Sequence, residues 1–284
     1  MKDIITSTSN PRIVEARKLS QKKHRMQQNR FAAGGLQILE MAIEGIANPR
    51  MAGSIRPLDA FFCEDLFVSE MASAIVGQLI AAGANAIAVS QRVLETLSDR
   101  ELCQGVVATF AIDSLLRALD SVERKSAEHP RLVVVLDRLQ YPGNAGTLIR
   151  TADAVGADAV ILIEPAVDTF APQSIRATMG SIFAIPIVRI TDIAKLDRWG
   201  KSQGLQWIGA NASAHDTVWE SPALHGPIGL ILGNEGEGLQ QNLQQIVDAS
   251  VHLPQRGGAE SLNVSVAGGI LMYEWMRVNF PTMS

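Results

Sequence analysis

"RLVVVLDRLQYPGNAGTLIRTADAVGADAVILIE", residues 131–164, decides the fold. Its opening "RLVVVLDRL" is a continuous apolar run, the pattern of a strand buried on both faces in a parallel sheet. Pro142-Gly143 marks a turn. "AGTLIRTADAVGA" then spaces Leu148, Ala152 and Val155 as a helical stripe, and "DAVILIE" is a second apolar strand. A strand, a helix and a strand in this order predict a βαβ unit.

The same alternation continues downstream. "PQSIRATMGSIF" reads as a helix, "AIPIVRI" as a strand, "TDIAKLDRWGKSQ" as a helix and "LQWIGAN" as a strand. "GPIGLILGNEGEGL" is a strand running into a Gly-rich turn, followed by the helix "QQNLQQIVDA". "SVHLPQ" is a short strand, and "NVSVAGGILMYEWMRVNF" is the last helix. The expectation for residues 131–284 is a parallel sheet covered by helices, with ligands beyond the carboxyl ends of the strands. Upstream, residues 1–112 alternate short helices ("PRIVEARKLSQKKHR", "GGLQILEMAIEGI", "EMASAIVGQLIAAGA") with strands ("DAFFCEDLF", "GVVATFAI"), which predicts a small α/β layer domain. The polar stretch 113–130 reads as the linker.

Composition agrees with two globular domains: 284 residues, 47% apolar and 19% charged. No apolar run approaches the roughly 20 residues that span a bilayer, and the N-terminus lacks the apolar middle of a secretory signal. Cys63 and Cys103 lie far apart, as free thiols in a reducing cytoplasm do. The five histidines are scattered, so no metal is expected. The net charge of −4 is unevenly spread: residues 1–30 hold eight Lys/Arg against Asp3 and Glu15, a balance of +6 that leaves −10 for the rest. A basic arm on an acidic body fits a polyanion held at one place, and equally fits a solvated amphipathic helix.

Three loops after strands carry polar side chains. The first holds Asn144, at a position suited to a helix N-cap, and Arg150, off the apolar stripe; alone, these are a cap and a solvated arginine. The second, "LILGNEGEGL" (230–239), is Gly-rich but spaced G-x-x-G-x-G. It is neither a dinucleotide fingerprint nor a P-loop, and alone it is a tight turn that admits close backbone approach. The third, "PQRGGAESLNVSVAGGILMYEW" (254–275), puts a flexible Gly pair and then Glu260, Ser261 and Asn263 before the last helix. Capping accounts for Ser261 and Asn263; it leaves the polar, flexible "PQRGGA" unexplained. All three loops face one edge of one predicted sheet.

Together, "YPGNAGTLIRTADAVGADAVIL", "LILGNEGEGL" and "LPQRGGAESLNVSVAGGILMYE" resemble the three motifs of the SpoU/TrmH branch of the SPOUT RNA methyltransferases, in the family order. "SNPRIVEARKLSQKKHR" followed by "RFAAGGLQILEMAI" is similar to the opening of the L30e-like RNA-binding domain of two-domain members. The resemblance implies an α/β fold with an L30e-like domain and a parallel-sheet α/β-knot domain threaded as a trefoil, which general topology rules disfavour. It implies methyl transfer from S-adenosylmethionine to a ribose 2′-hydroxyl of ribosomal or transfer RNA by a homodimer. Ribosomal RNA is favoured because the L30e-like arm is typical of that group.

The family's functional residues fall on Arg150, Asn144, Glu235, Ser261 and Asn263. Cofactor contacts fall on Gly233, Leu253 and Leu262, with Asn234 and Asn211 beside them. Lys18, Lys22, Lys23 and Arg25 are the expected RNA phosphate contacts. Tyr141 stands where many members are acidic, and Gly34-Gly35 where Glu-Gly is common. Two other classes compete: a non-catalytic RNA-binding protein on the same scaffold, and an unrelated α/β nucleotide-binding enzyme, against which the missing Rossmann and P-loop patterns count.

Overall fold

The computed structural model describes residues 4–51, 53–98, 104–219, 221–234, 236–258 and 261–280. The chain forms two compact units. The first comprises residues 1–116 and 168–184, the second 117–167 and 185–284.

In the first unit, strands β1 (Arg30–Gly34), β2 (Pro57–Phe62), β3 (Asn85–Ala88) and β4 (Val106–Ala111) form a sheet in the order β1-β4-β2-β3. Strand β1 pairs antiparallel with β4 and β2 pairs parallel with β3. The stretch "RFAAG" did not stand out as a strand in the sequence, because it runs straight into the Gly pair and the helix that follows. Helices α1 (Pro11–Lys18), α2 (Lys22–Gln28), α3 (Leu36–Ala47), α4 (Glu70–Ala81), α5 (Gln91–Leu94) and α6 (Ile112–Leu115) complete the N-terminal part.

Segment 168–184 joins this unit although it follows the first βαβ strands in the chain. Its reason is aromatic. Phe170 and Phe183 pack with Phe31 and Phe110, ring centroids 4.8 to 6.0 Å apart. Such clusters contribute beyond their buried area.

The eight-stranded sheet holds β5 (Leu116–Arg117) at the edge and β6 (Leu132–Asp137), β7 (Ala159–Ile163), β8 (Ile187–Ile190), β9 (Gln206–Ala210), β10 (Asp216–Thr217), β11 (Ile228–Leu232) and β12 (Ala249–His252), in the order β10-β12-β9-β11-β6-β7-β8-β5. The pairings from β10 through β8 are parallel, and every residue of β6, β7 and β11 is buried. Helices α7 (Pro142–Ala154), α8 (Pro172–Thr178), α9 (Ile193–Ser202), α10 (Gln241–Gln244) and α11 (Val264–Asn279) follow in chain order. Helix α8 belongs to the first unit, and "PQSIRATMGSIF" is not one helix: Met179 (φ 49°) and Gly180 (φ 101°) break it.

The stretch 113–130 is not a free linker. Leu119 and Val122 lie in the core of the second unit with Val133, Ile161 and Trp207. Arg131 donates to Asp158 Oδ2 at 3.0 Å and to Val122 O at 2.9 Å, fastening the segment down. The chain leaves the middle of the sheet at Leu232, adds β12 beyond β9, then returns to lay α11 against α7 and β11. That return is what the expected knotted threading requires. A Cβ at Gly268 would sit 2.5 Å from Leu148 Cδ2 and 2.6 Å from Leu232 Cδ1, so the small residues of "VAGG" let α11 approach this closely.

Candidate functional site

The carboxyl ends of β9, β11 and β12 are neighbours in the sheet, and the loops that leave them enclose a cavity of about 490 Å³. The volume is that of a small-ligand site. Five residues singled out from the sequence as cofactor contacts line it: Asn211, Gly233, Asn234, Leu253 and Leu262. Ser261 also lines it, while Arg150, Asn144 and Asn263 do not. Its walls are apolar where Leu232, Val264, Ala267 and Leu271 meet. The sequence reading missed this apolar half, because these residues look like ordinary core.

The Gly-rich loop is folded tightly on itself. Asn234 N donates to Gly238 O and Gly238 N to Asn234 O, both at 3.0 Å. A Cβ at Gly233 would lie 2.6 Å from Gly238 C, so only glycine fits there. The Asn234 side chain is spent on the loop: Oδ1 accepts from Gly236 N (2.9 Å) and Glu237 N (3.0 Å), and Nδ2 donates to Arg138 O (2.9 Å). Asn234 therefore shapes the cavity wall rather than offering it a free amide. Glu235 lies outside the described residues.

A buried carboxylate that the sequence reading passed over anchors the loop. Asp137, at the end of β6 and fully buried, accepts from Gln240 N and Gln240 Nε2, both at 2.8 Å. Arg138 adds a bond to Asp137 Oδ1 (3.1 Å) and a pair with Glu237 (2.8 Å). The hydrogen bond that Arg138 donates to Asp137 and the attraction of both carboxylates raise the Arg138 pKa above its ordinary value, so its guanidinium stays charged at any working pH. An acidic residue ending an apolar strand was the available signal.

Helix α7 begins at Pro142 with Tyr141 as its N-cap residue, so Asn144 lies inside the first turn rather than at the cap. Asn263 is the N-cap of α11: Oδ1 accepts from Ser265 N at 2.9 Å, and Nδ2 donates to Asn144 Oδ1 at 3.2 Å. The first and third loops are thus joined side chain to side chain. Arg150 is exposed on α7, and among the described residues no carboxylate ion-pairs with it. Asn211 follows the last residue of β9, with Oδ1 accepting from Ser213 N at 2.9 Å, and Leu253 follows the last residue of β12.

The expected RNA contacts divide. Lys22 and Lys23 are exposed, and Lys18 pairs with Glu15 at 2.6 Å. That bond and the Lys18 charge lower the Glu15 pKa. Arg25 is not a phosphate contact. It is only 3% exposed, and its guanidinium donates to Asp168 Oδ2 (3.1 and 2.6 Å) and to Leu19 O (2.6 Å). It is a buried structural pair, invisible in sequence because Asp168 lies far along the chain.

Among the described residues no group of three His, Cys, Asp or Glu side chains is placed to hold a metal ion, and no helix is long and apolar enough to cross a membrane.

Comparison with known proteins places this geometry in context. Residues 131–273 match the SpoU rRNA Methylase family, and residues 10–108 match the MRM3-like substrate binding domain. An uncharacterized tRNA/rRNA methyltransferase of Synechocystis sp. is 32% identical, with 96% of this chain and 93% of that protein covered. The 23S rRNA (guanosine(2553)-2′-O)-methyltransferase RlmP of Bacillus subtilis is 31% identical over 95% of this chain and 97% of its own. The crystal structure of an AdoMet-bound rRNA methyltransferase from Sinorhizobium meliloti superposes with a TM-score of 0.82 at 31% identity, covering 97% of this chain and 98% of that one.

Proposed function

The chain belongs to the SpoU rRNA methylase family, and from that premise we propose that it is an S-adenosylmethionine-dependent methyltransferase acting on a ribose 2′-hydroxyl of ribosomal RNA. The observation that carries the reading is the cavity at the ends of β9, β11 and β12, lined by Asn211, Gly233, Leu253 and Leu262.

The cavity fits the cofactor by its chemistry. Leu232, Val264 and Leu271 supply an apolar wall suited to an adenine face. Gly233 lets the loop close against Gly238 and so shapes the cavity wall, and Leu253, just past β12, offers main-chain groups beyond the strand ladder. When bound, the sulfonium supplies a methyl that is already electrophilic.

What remains for the protein is to make a poor nucleophile reactive and to align it. Arg150 stabilises the 2′-oxygen as its proton leaves to solvent water. A guanidinium stays protonated, so it acts as a charge beside the developing alkoxide and not as a base. Asn144 and Asn263, held to each other, and Ser261 at the cavity wall orient the ribose against the methyl. Glu235 is assigned a supporting role toward Arg150 or Asn144 from the motif alone. Lys18, Lys22 and Lys23 dock the RNA through phosphates.

The functional form is a homodimer in the cytoplasm. Support for the dimer comes from α11, whose Val266 and Tyr273 are half exposed on the side away from the buried stripe of Val264, Gly268, Leu271 and Trp275. An exposed apolar stripe on a packed helix marks an interaction face.

The test is methyl transfer from labelled S-adenosylmethionine to unmodified ribosomal RNA and unmodified transfer RNA in parallel. Label in ribosomal RNA is expected. Label in transfer RNA alone reassigns the substrate, and absent cofactor binding removes the reading.

A further inference from the structure

The first unit contains a second cavity, of about 390 Å³, which the methyl-transfer site does not use. It opens along β1, an edge strand of the four-stranded sheet. The phase of the antiparallel ladder is fixed where Ile112 N donates to Asn29 O at 3.0 Å. With the register Phe31↔Phe110 and Ala33↔Ala108, Phe31 and Ala33 turn their main-chain groups toward β4. Alternate residues in such a ladder turn theirs away. Ala32 and Gly34 therefore direct N–H and C=O at the open edge, and among the described residues neither has a main-chain partner there.

Bare strand edges are normally covered or guarded by charge or proline. Here the neighbouring side chains are small. Ala16, Ala32 and Gly34 leave the edge uncovered and make the cavity. Leu97 and Phe170 contribute apolar surface, while Arg17 of α1 and Arg176 of α8 stand exposed at the wall. No described lining residue is a carboxylate.

We propose that this cavity holds one unstacked nucleotide of the RNA substrate, its base edge on the main chain of Ala32 and its phosphate against Arg17. The proposal rests on the reading of the chain as an RNA methyltransferase. Ala32 presents a donor and an acceptor side by side, as the Watson–Crick edge of a base does. Sequence-selective RNA recognition takes unstacked bases that meet protein donors, acceptors and apolar faces. Guanidinium is the side chain that best matches phosphate. The exposed guanidinium of Arg17 at the wall favours a phosphate-bearing ligand over an extended peptide added to the strand edge.

The test uses the full-length protein and a short fluorescein-labelled single-stranded RNA containing 4-thiouridine. At Gly34 a Cβ meets Val107 Cγ2 at 3.5 Å, an ordinary contact, so the strand accepts a side chain there, and Gly34→Leu is chosen to fill the cavity. Gly34→Leu and Arg17→Ala are each expected to weaken RNA binding by at least about tenfold, and binding within about twofold of wild type in both overturns the proposal. Photo-cross-links are expected in the peptides carrying Leu97 and Phe170; cross-links found only elsewhere also overturn it. Arg17 is exposed, so Arg17→Ala decides if Gly34→Leu fails to fold. Calorimetry with S-adenosylmethionine on the same preparations separates the two claims. Cofactor binding with unaltered RNA affinity in both variants sinks the cavity alone, whereas no cofactor binding in the wild type sinks the functional reading.

Discussion

Asn263 Nδ2 donates to Asn144 Oδ1 at 3.2 Å, while Asn263 Oδ1 caps α11. One side chain thus ends a helix and ties two of the three motif loops together. The two tasks separate by substitution. Asn263→Ala loses both, and its stability falls by about 1 kcal/mol, the usual worth of an N-cap. Asn263→Asp keeps the cap but sets a carboxylate against Asn144 Oδ1, so thermal stability holds while turnover falls. Equal turnover in Asn263→Asp and wild type would show that the link has no part in catalysis.

Gly233→Ala pushes a methyl to within 2.6 Å of the Gly238 main chain. The loop must move, and its bonds between Asn234 and Gly238 open. S-adenosylmethionine affinity is expected to drop at least about tenfold, equivalent to roughly 1.4 kcal/mol. Calorimetric titration checks this; unchanged affinity would place the cofactor away from this loop.

Asp137→Ala strands Gln240 N–H and Nε2 and releases Arg138. Breaking a buried charged network costs about 3 kcal/mol. Denaturant unfolding measures it, and a loss near zero would mean that the loop finds other partners.

Basic residues of the N-terminal stretch split into two classes with opposite readouts. Lys22→Glu with Lys23→Glu weakens RNA binding and flattens its salt dependence, with stability unchanged. Arg25→Ala leaves Asp168 buried without its partner, and costs about 3 kcal/mol of stability. Filter binding over a salt series, alongside thermal melts, distinguishes them. An Arg25 variant of full stability contradicts the buried-pair assignment.

These cases show where sequence patterns carry information. The apolar runs of β6, β7 and β11 and the loops at their ends were legible, because burial on both faces leaves a local composition signal. Partners far apart in the chain leave none. Arg25 read as an RNA phosphate contact because nothing in the sequence marks Asp168 as its partner, and "PQSIRATMGSIF" read as one more covering helix. Only the aromatic set of Phe31, Phe110, Phe170 and Phe183 reveals that this segment completes the first unit. Strand β1 escaped because alanine and glycine carry weak strand preference. The same small residues open the second cavity. The Asp137 clamp was hidden for another reason: an aspartate after an apolar run looks like a strand's polar end, and its burial is set by Gln240 and Arg138.

The most direct measurement is nucleoside analysis of ribosomal RNA incubated with S-adenosylmethionine and either wild-type protein or Arg150→Ala. The account predicts one 2′-O-methylated nucleotide with the wild type, and turnover lower by about a hundredfold or more in the variant, whose exposed arginine costs no stability. Base methylation in place of ribose methylation, or an Arg150→Ala variant as active as the wild type, would contradict it.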